Sequence, residues 1–181
     1  MILLINICKE KLHYLEFVRP IEDILKKEKK AFFVKGYKEV QQKDLEKAER
    51  VIICGTSLAD NDFGLSENMR FFKWIDNFDK PLFGICGGMQ VIGKAFGTKI
   101  KKLTEIGFFK ENFYRNFLGL FKEQEVYHLH NYYADFSNND FEIYAGGNIS
   151  QAVKHHDKPI YGVLFHPEVR QKSLIVDFLK I

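Results

Sequence analysis

The chain has 181 residues, 46% hydrophobic and 28% charged, with a net charge of +3. That is enough for a single domain over 1–181 with a sizeable core and too little for two ordinary domains. The mild positive balance is not that of a nucleic-acid binder, and no apolar run approaches a membrane-spanning length.

Residues 2–7 form an apolar run that reads as a first buried strand, with no leader-like character. Residues 14–30 read as a helix with Leu15, Val18, Ile21, Ile24 and Leu25 on one face. The lysine-rich run 26–30 is its solvated end, where cations suit the helix dipole. A strand over 31–35, a short helix over 44–49 and a strand over 51–54 follow, the last running into Gly55-Thr56-Ser57. A helix over 65–78 carries Met69, Phe72, Trp74, Ile75 and Phe78, a stripe better suited to a core than to a binding face. Residues 82–85 are a short apolar run after Pro81, and apolar residues at 89, 91, 92, 95 and 96 have helical spacing. Strands alternating with helices are the signature of a doubly wound parallel sheet, whose sites lie beyond the carboxyl ends of the strands.

Beyond Thr98 the character changes. Strands are expected over 126–134, 142–145, 150–155 and 160–165. The turn groups Asn138-Asn139-Asp140 and Gly146-Gly147-Asn148 suggest β-hairpin additions. A helix over 171–179 closes the chain.

The chemistry centres on Gly84-Ile85-Cys86-Gly87-Gly88, a nucleophile-elbow spacing with sulfur in place of the usual serine oxygen. A sharp strand-to-helix turn puts Cys86 at a helix N-terminus, where unpaired backbone N–H groups can serve a thiolate or an oxyanion. A cysteine nucleophile needs a base, and the base needs an orienting group. His166 follows an apolar strand and can reach the same sheet edge; Glu168, two residues on, can hold the second imidazole nitrogen. Cys8 and Cys54, each ending an apolar strand, read instead as small buried hydrophobes. Three cysteines without paired or zinc-type spacing point to a reducing, cytoplasmic compartment. His128 and His130 share a strand face, as a metal pair would, but no third ligand is evident, and no metal is expected. His155 and His156 read as surface residues. No phosphate-binding glycine loop is present, and no cofactor is expected.

These residues resemble the class I (triad) glutamine amidotransferases. The likeness rests on Pro81-Leu82-Phe83-Gly84-Ile85-Cys86-Gly87-Gly88-Met89-Gln90 and on Tyr161-Gly162-Val163-Leu164-Phe165-His166-Pro167-Glu168-Val169. Leu129-His130-Asn131-Tyr132-Tyr133 and Val51-Ile52-Ile53-Cys54-Gly55-Thr56-Ser57 support it. The resemblance implies a flavodoxin-like three-layer α/β/α sandwich with a mostly parallel sheet and an added antiparallel β-ribbon. It implies hydrolysis of the glutamine side-chain amide through a γ-glutamyl thioester, with Cys86 as nucleophile, His166 as acid and base, and Glu168 orienting His166. The oxyanion would be held by backbone N–H groups near Gly55-Thr56 and at Gly87. The side chain of Gln90 and the backbone around Asn131 and Tyr132 would hold the amino-acid end of the substrate.

Three features depart from the family pattern. Gly55-Thr56-Ser57 stands where Gly-Gly-Pro is frequent, and Thr56 tolerates fewer backbone conformations than glycine. Leu129 and Asn131 flank a histidine that many members place beside a serine. Gly88-Met89-Gln90 is similar to the imidazole-glycerol-phosphate synthase and γ-glutamyl hydrolase branches, whereas the last 60 or so residues resemble archaeal-type glutaminase subunits of guanylate synthase. The chain reaches Ile181 soon after Glu168, so a separate synthetase is the expected ammonia acceptor. A stand-alone γ-glutamyl amide hydrolase, and a non-catalytic regulatory paralogue, are the alternatives.

Overall fold

Five short apolar runs line up side by side, four of them burying side chains on both faces and the fifth, at the edge, half-burying its own. The computed structural model describes residues 1–137 and 140–181. In it β1 (Ile2–Asn6), β2 (Phe32–Gly36), β3 (Arg50–Ile53), β4 (Leu82–Ile85) and β9 (Ile160–Val163) pair in parallel, in the order β2-β1-β3-β4-β9. Ile2 and Leu4 of β1 enter one hydrophobic cluster and Leu3 and Ile5 the other, as the two-residue side-chain period of a strand requires. The first cluster holds Ile21 and Leu25 of α2 (Arg19–Lys27) against Leu174 and Phe178 of α5 (Lys172–Phe178). The second holds Leu45 of α3 (Gln42–Lys47) and Met89 and Ile92 of α4 (Gly87–Ala95). Helices thus cover both faces of the sheet, and the flavodoxin-like expectation holds.

The sheet continues on the far side of β9 through antiparallel strands β8 (Ala152–His155) and β7 (Phe141–Ala145) to a long hairpin of β5 (Lys99–Phe117) and β6 (Leu120–Asp135). Leu118 and Gly119 both take positive φ in its turn, the geometry that suits a two-residue hairpin connection. This is the added ribbon, but it starts earlier than the sequence suggested. β5 was not expected at all. Its hydrophobic alternation is broken by register shifts between Lys102 and Glu105 and between Phe113 and Phe117, and most of its residues face solvent. Asn138 and Asn139 of the expected turn lie outside the described residues.

Two helical readings change. The 65–78 segment forms a 3₁₀ helix over Met69–Asn77 rather than an α-helix. Its buried residues Phe72, Ile75 and Phe78 recur every three positions, and a threefold turn puts them on one edge. The first helix begins earlier, with α1 (Lys11–His13), and passes through a π turn at Tyr14–Val18 before α2. Pro20, in the first turn of α2, has no N–H to donate back and would crowd the carbonyl of Glu16; a wider turn relieves both. His155, read as a surface residue, is buried; its Nδ1 accepts from the backbone N–H groups of Asp157 and Lys158, and its ring packs on Phe96 and Phe141. Among the described residues no helix is long and apolar enough to cross a membrane.

What positions the elbow is the approach of α4 to β3. A Cβ on Gly88 would lie 2.3 Å from the Ile53 carbonyl oxygen, so only glycine lets the helix sit this close. Gly88→Ala should therefore destabilise the fold by about 1–3 kcal/mol. Gly147→Ala, where an added Cβ meets nothing within 4 Å, should stay within about 0.5 kcal/mol. Urea unfolding of the two variants checks the contrast.

Candidate active site

The turn from β4 into α4 is one residue long. Cys86 occupies it with φ 48° and ψ −105°, a conformation rare for any residue with a side chain. The neighbours enforce it: the Cys86 N–H donates to the Val163 carbonyl at 2.8 Å, and the Cys86 carbonyl accepts from the Gln90 N–H at 3.1 Å. The thiol is buried and donates to the Leu129 carbonyl on β6 at 3.5 Å.

Beyond the end of β9, the His166 N–H donates to the Tyr127 carbonyl at 2.8 Å, tying this segment to β6. The His166 Nδ1 lies 2.7 Å from Glu168 Oε1, and both side chains are essentially out of solvent. Burial alone would lower the ring's pKa. The Glu168 carboxylate and the neighbouring Cys86 thiol outweigh it and hold the imidazole well above its ordinary value. The His166 Nε2 is buried and makes no close hydrogen bond among the described residues, with Cys86 as the neighbour on that side of the ring. Gly55 makes room for that ring: a Cβ there would sit 2.6 Å from its Cε1. Phe17, delivered by the π turn, packs on the ring with centroids 5.2 Å apart.

A cleft of about 290 Å³ opens over the thiol. Thr56, Cys86, Gly87, Gln90, Asn131 and Tyr132 all line it. Gln90 Nε2 donates to the Tyr132 carbonyl at 2.8 Å, and Thr104 Oγ1 donates to Asn131 Oδ1 at 3.0 Å, so this wall is braced from α4 and from β5. The other wall is the loop after β3. There the Thr56 hydroxyl donates to Asp60 Oδ2 at 2.7 Å, and the same oxygen accepts from the Lys9 N–H and meets His13 Nδ1. Six of the nine residues singled out from the sequence thus line one cleft, while Gly55, His166 and Glu168 do not border it and lie together behind the thiol, Gly55 against the His166 ring and Glu168 paired with it.

Several contributors were not legible beforehand. Asp60, Phe17 and the backbone carbonyls of Tyr127 and Leu129 act through tertiary contacts that no local pattern announces. Glu105 is another: its carboxylate reaches His130 Nε2 at 2.9 Å. Burial raises Cys54 well above the usual thiol range and pushes Cys8 up to about 11.

Residues 14–179 match the sequence pattern of the glutamine amidotransferase class-I family. The chain belongs to that family. Among its relatives, a glutamine-hydrolysing GMP synthase subunit from Methanobrevibacter smithii is 36% identical over 104 residues, covering 54% of this chain and 55% of that protein. The corresponding Thermococcus kodakarensis protein is 37% identical over 103 residues, covering 52% and 54%. The matched part thus spans about half the length of these relatives. The fold is shared with a candidate GMP synthase subunit from Thermoplasma acidophilum, at a TM-score of 0.84 and 21% identity, over 99% of this chain and 92% of that one. A Thermotoga maritima glutamine amidotransferase gives a TM-score of 0.74 at 18% identity, over 99% and 80%.

The raised pKa of His166 sets a sign for pH dependence. Its charge stabilises the fold fully below the unfolded value of about 6.5, and that contribution is lost as pH rises through the higher folded value. Glu168→Gln removes the strongest opposing charge, so burial lowers the ring's pKa and the loss moves to lower pH. Titration of His166 by NMR, alongside thermal melts across the same pH range, checks both effects.

Proposed function

We propose that this chain is a glutaminase that hydrolyses the side-chain amide of glutamine and passes ammonia to a separate synthetase. The observation that carries the reading is the buried His166–Glu168 pair at 2.7 Å, set beside a thiol held in a strained elbow at the floor of a cleft. Cys86 Sγ attacks the amide carbon as a thiolate, its proton carried by the His166 ring, and the carbonyl electrons move onto oxygen. Backbone N–H groups at Gly87 and along Gly55-Thr56 receive that oxyanion; losing one such donor costs about 2.7–4 kcal/mol of barrier. His166 gives its proton to the departing nitrogen, which leaves as ammonia, and a γ-glutamyl thioester remains. The ring then takes a proton from water, the resulting hydroxide attacks the thioester carbon, and glutamate leaves as the thiol is restored. Glu168 keeps the ring oriented and supports its positive charge in both halves. Gln90 and the backbone at Asn131 and Tyr132 stand where they can hold the amino-acid end.

The names of the relatives favour guanylate synthesis as the partner reaction. That agrees with the reading of the last 60 or so residues. A second reading, a partner-free hydrolase of γ-glutamyl amines, is favoured by the Gly88-Met89-Gln90 elbow. Turnover assays of the purified chain on glutamine and on γ-glutamyl amines separate the two: brisk cleavage of the amines without a partner would reject the reading that needs a synthetase.

With glutamine, and with a separate GMP synthetase supplied, Cys86→Ser should lose turnover while its circular dichroism stays native. His166→Ala should be comparably inactive. Glu168→Ala should lose less than either, because an orienting carboxylate is partly dispensable. A glutamine-analogue electrophile should label the wild-type chain at Cys86 and leave Cys8 and Cys54 untouched. Wild-type rates in Cys86→Ser would remove the assigned nucleophile.

A further inference from the structure

We propose that Glu105, His128 and His130 form a binding site for one divalent transition-metal ion of the zinc class, on the β5–β6 hairpin beside the cleft. The proposal is independent of the glutaminase reading.

The ligand atoms of these three residues lie within 4.8 Å of one another. Strand geometry puts them there. His128 and His130, two apart on β6, point to the same face. In the cross-strand register Glu105 stands opposite His130, and Gly107, with no side chain to fill the space, stands opposite His128. Glu105 Oε2 is 2.9 Å from His130 Nε2 and 3.7 Å from His128 Nδ1. Ligands of a tetrahedral zinc ion bound at 2.0–2.2 Å are separated by about 3.4 Å, so movements of about 1 Å complete the site.

Two further observations point to a ligand. Both imidazoles are buried, yet neither ring nitrogen of His128 makes a hydrogen bond of good geometry among the described residues. Buried polar atoms are rarely left so. Outer contacts of the kind that support metal ligands are also in place. Glu111 Oε1 approaches the far nitrogen of His128 at 3.3 Å, and Gln151 Nε2 donates to Glu105 Oε2 at 3.0 Å. Two nitrogens and one carboxylate oxygen suit zinc or a similar ion better than magnesium or calcium.

The test is zinc titration of the full chain by calorimetry. It is run on wild type and on Cys86→Ser, because the Cys86 thiol and the His166 ring could capture zinc themselves. One zinc per chain should bind to Cys86→Ser and raise its melting temperature. Binding should vanish in Cys86→Ser carrying Glu105→Gln or His128→Gln, and Glu111→Gln should weaken it about tenfold. Glu105→Gln is nearly isosteric at a partly exposed side chain, and circular dichroism confirms folding before titration. If His128→Gln does not fold, Glu105→Gln carries the decision alone. Zinc binding that disappears with Cys86→Ser, or that survives Glu105→Gln, would overturn the proposal. So would an absence of binding at micromolar zinc in both parent chains. Glutaminase activity enters none of these readouts.

Discussion

A buried carboxylate and a buried imidazole are each costly to desolvate, and each makes the other tolerable. Glu168 and His166 form such a pair, 2.7 Å apart and closed off from solvent. Removing one partner leaves the other buried without compensation, which costs far more than the pair's own net contribution to stability. Much of the surrounding structure keeps that pair in place. The His166 N–H is held by β6, its ring is cradled by Gly55 and covered by Phe17. These contacts come from the ribbon, the loop after β3 and the π turn, so distant stretches of chain converge on one imidazole. The same enclosure prevents water from screening the ring.

The loop at Gly55-Thr56-Ser57 shows how a departure from a family pattern can be absorbed. Threonine lacks the backbone freedom of glycine, and that restriction argues against an easy peptide flip. The side chain does something glycine cannot. Its hydroxyl donates to Asp60, whose carboxylate also accepts from the Lys9 backbone and pairs with His13. Hydrogen bonds from Thr56, Lys9 and His13 outweigh burial and hold the Asp60 carboxyl below its usual range, so it stays charged as the anchor of that wall. Leu129 is absorbed differently. Its backbone carbonyl is the acceptor for the Cys86 thiol, a contact indifferent to the side chain.

The parallel half of the fold, and the placing of Cys86 in a strand-to-helix turn, were legible from residues alone. Short apolar runs buried on both faces, separated by helical periods, leave few arrangements, and Gly84, Cys86 and Gly88 mark a turn that other residues would fill. The antiparallel half was legible only in part. β6 alternates cleanly through Val126, His128 and His130, whereas β5 is bulged and largely exposed, so its period never emerges. The 3₁₀ helix at Met69–Asn77 hid for a related reason: a period of three resembles one of 3.6 over so short a run. Contacts made across the fold, such as Phe17 on His166 or Thr56 on Asp60, have no local signature.

Missing β5 had a chemical consequence, because Glu105 lies on it. Seen from β6 alone, His128 and His130 are two buried rings lacking a third group. Seen with β5 in register, they face a carboxylate supported by Gln151, with Glu111 behind them. β6 then serves two purposes. Its buried histidines belong to the hairpin's own polar cluster, and His130 together with Leu129, Asn131 and Tyr132 also borders the cleft. Because one strand carries both, neither set can shift without the other. Whatever fixes the inward rings also fixes the carbonyl that receives the thiol's hydrogen bond and the wall braced by Gln90. Conformational order in the ribbon and order at the cleft are therefore one property of β6, set by the pitch of a strand rather than by any single contact.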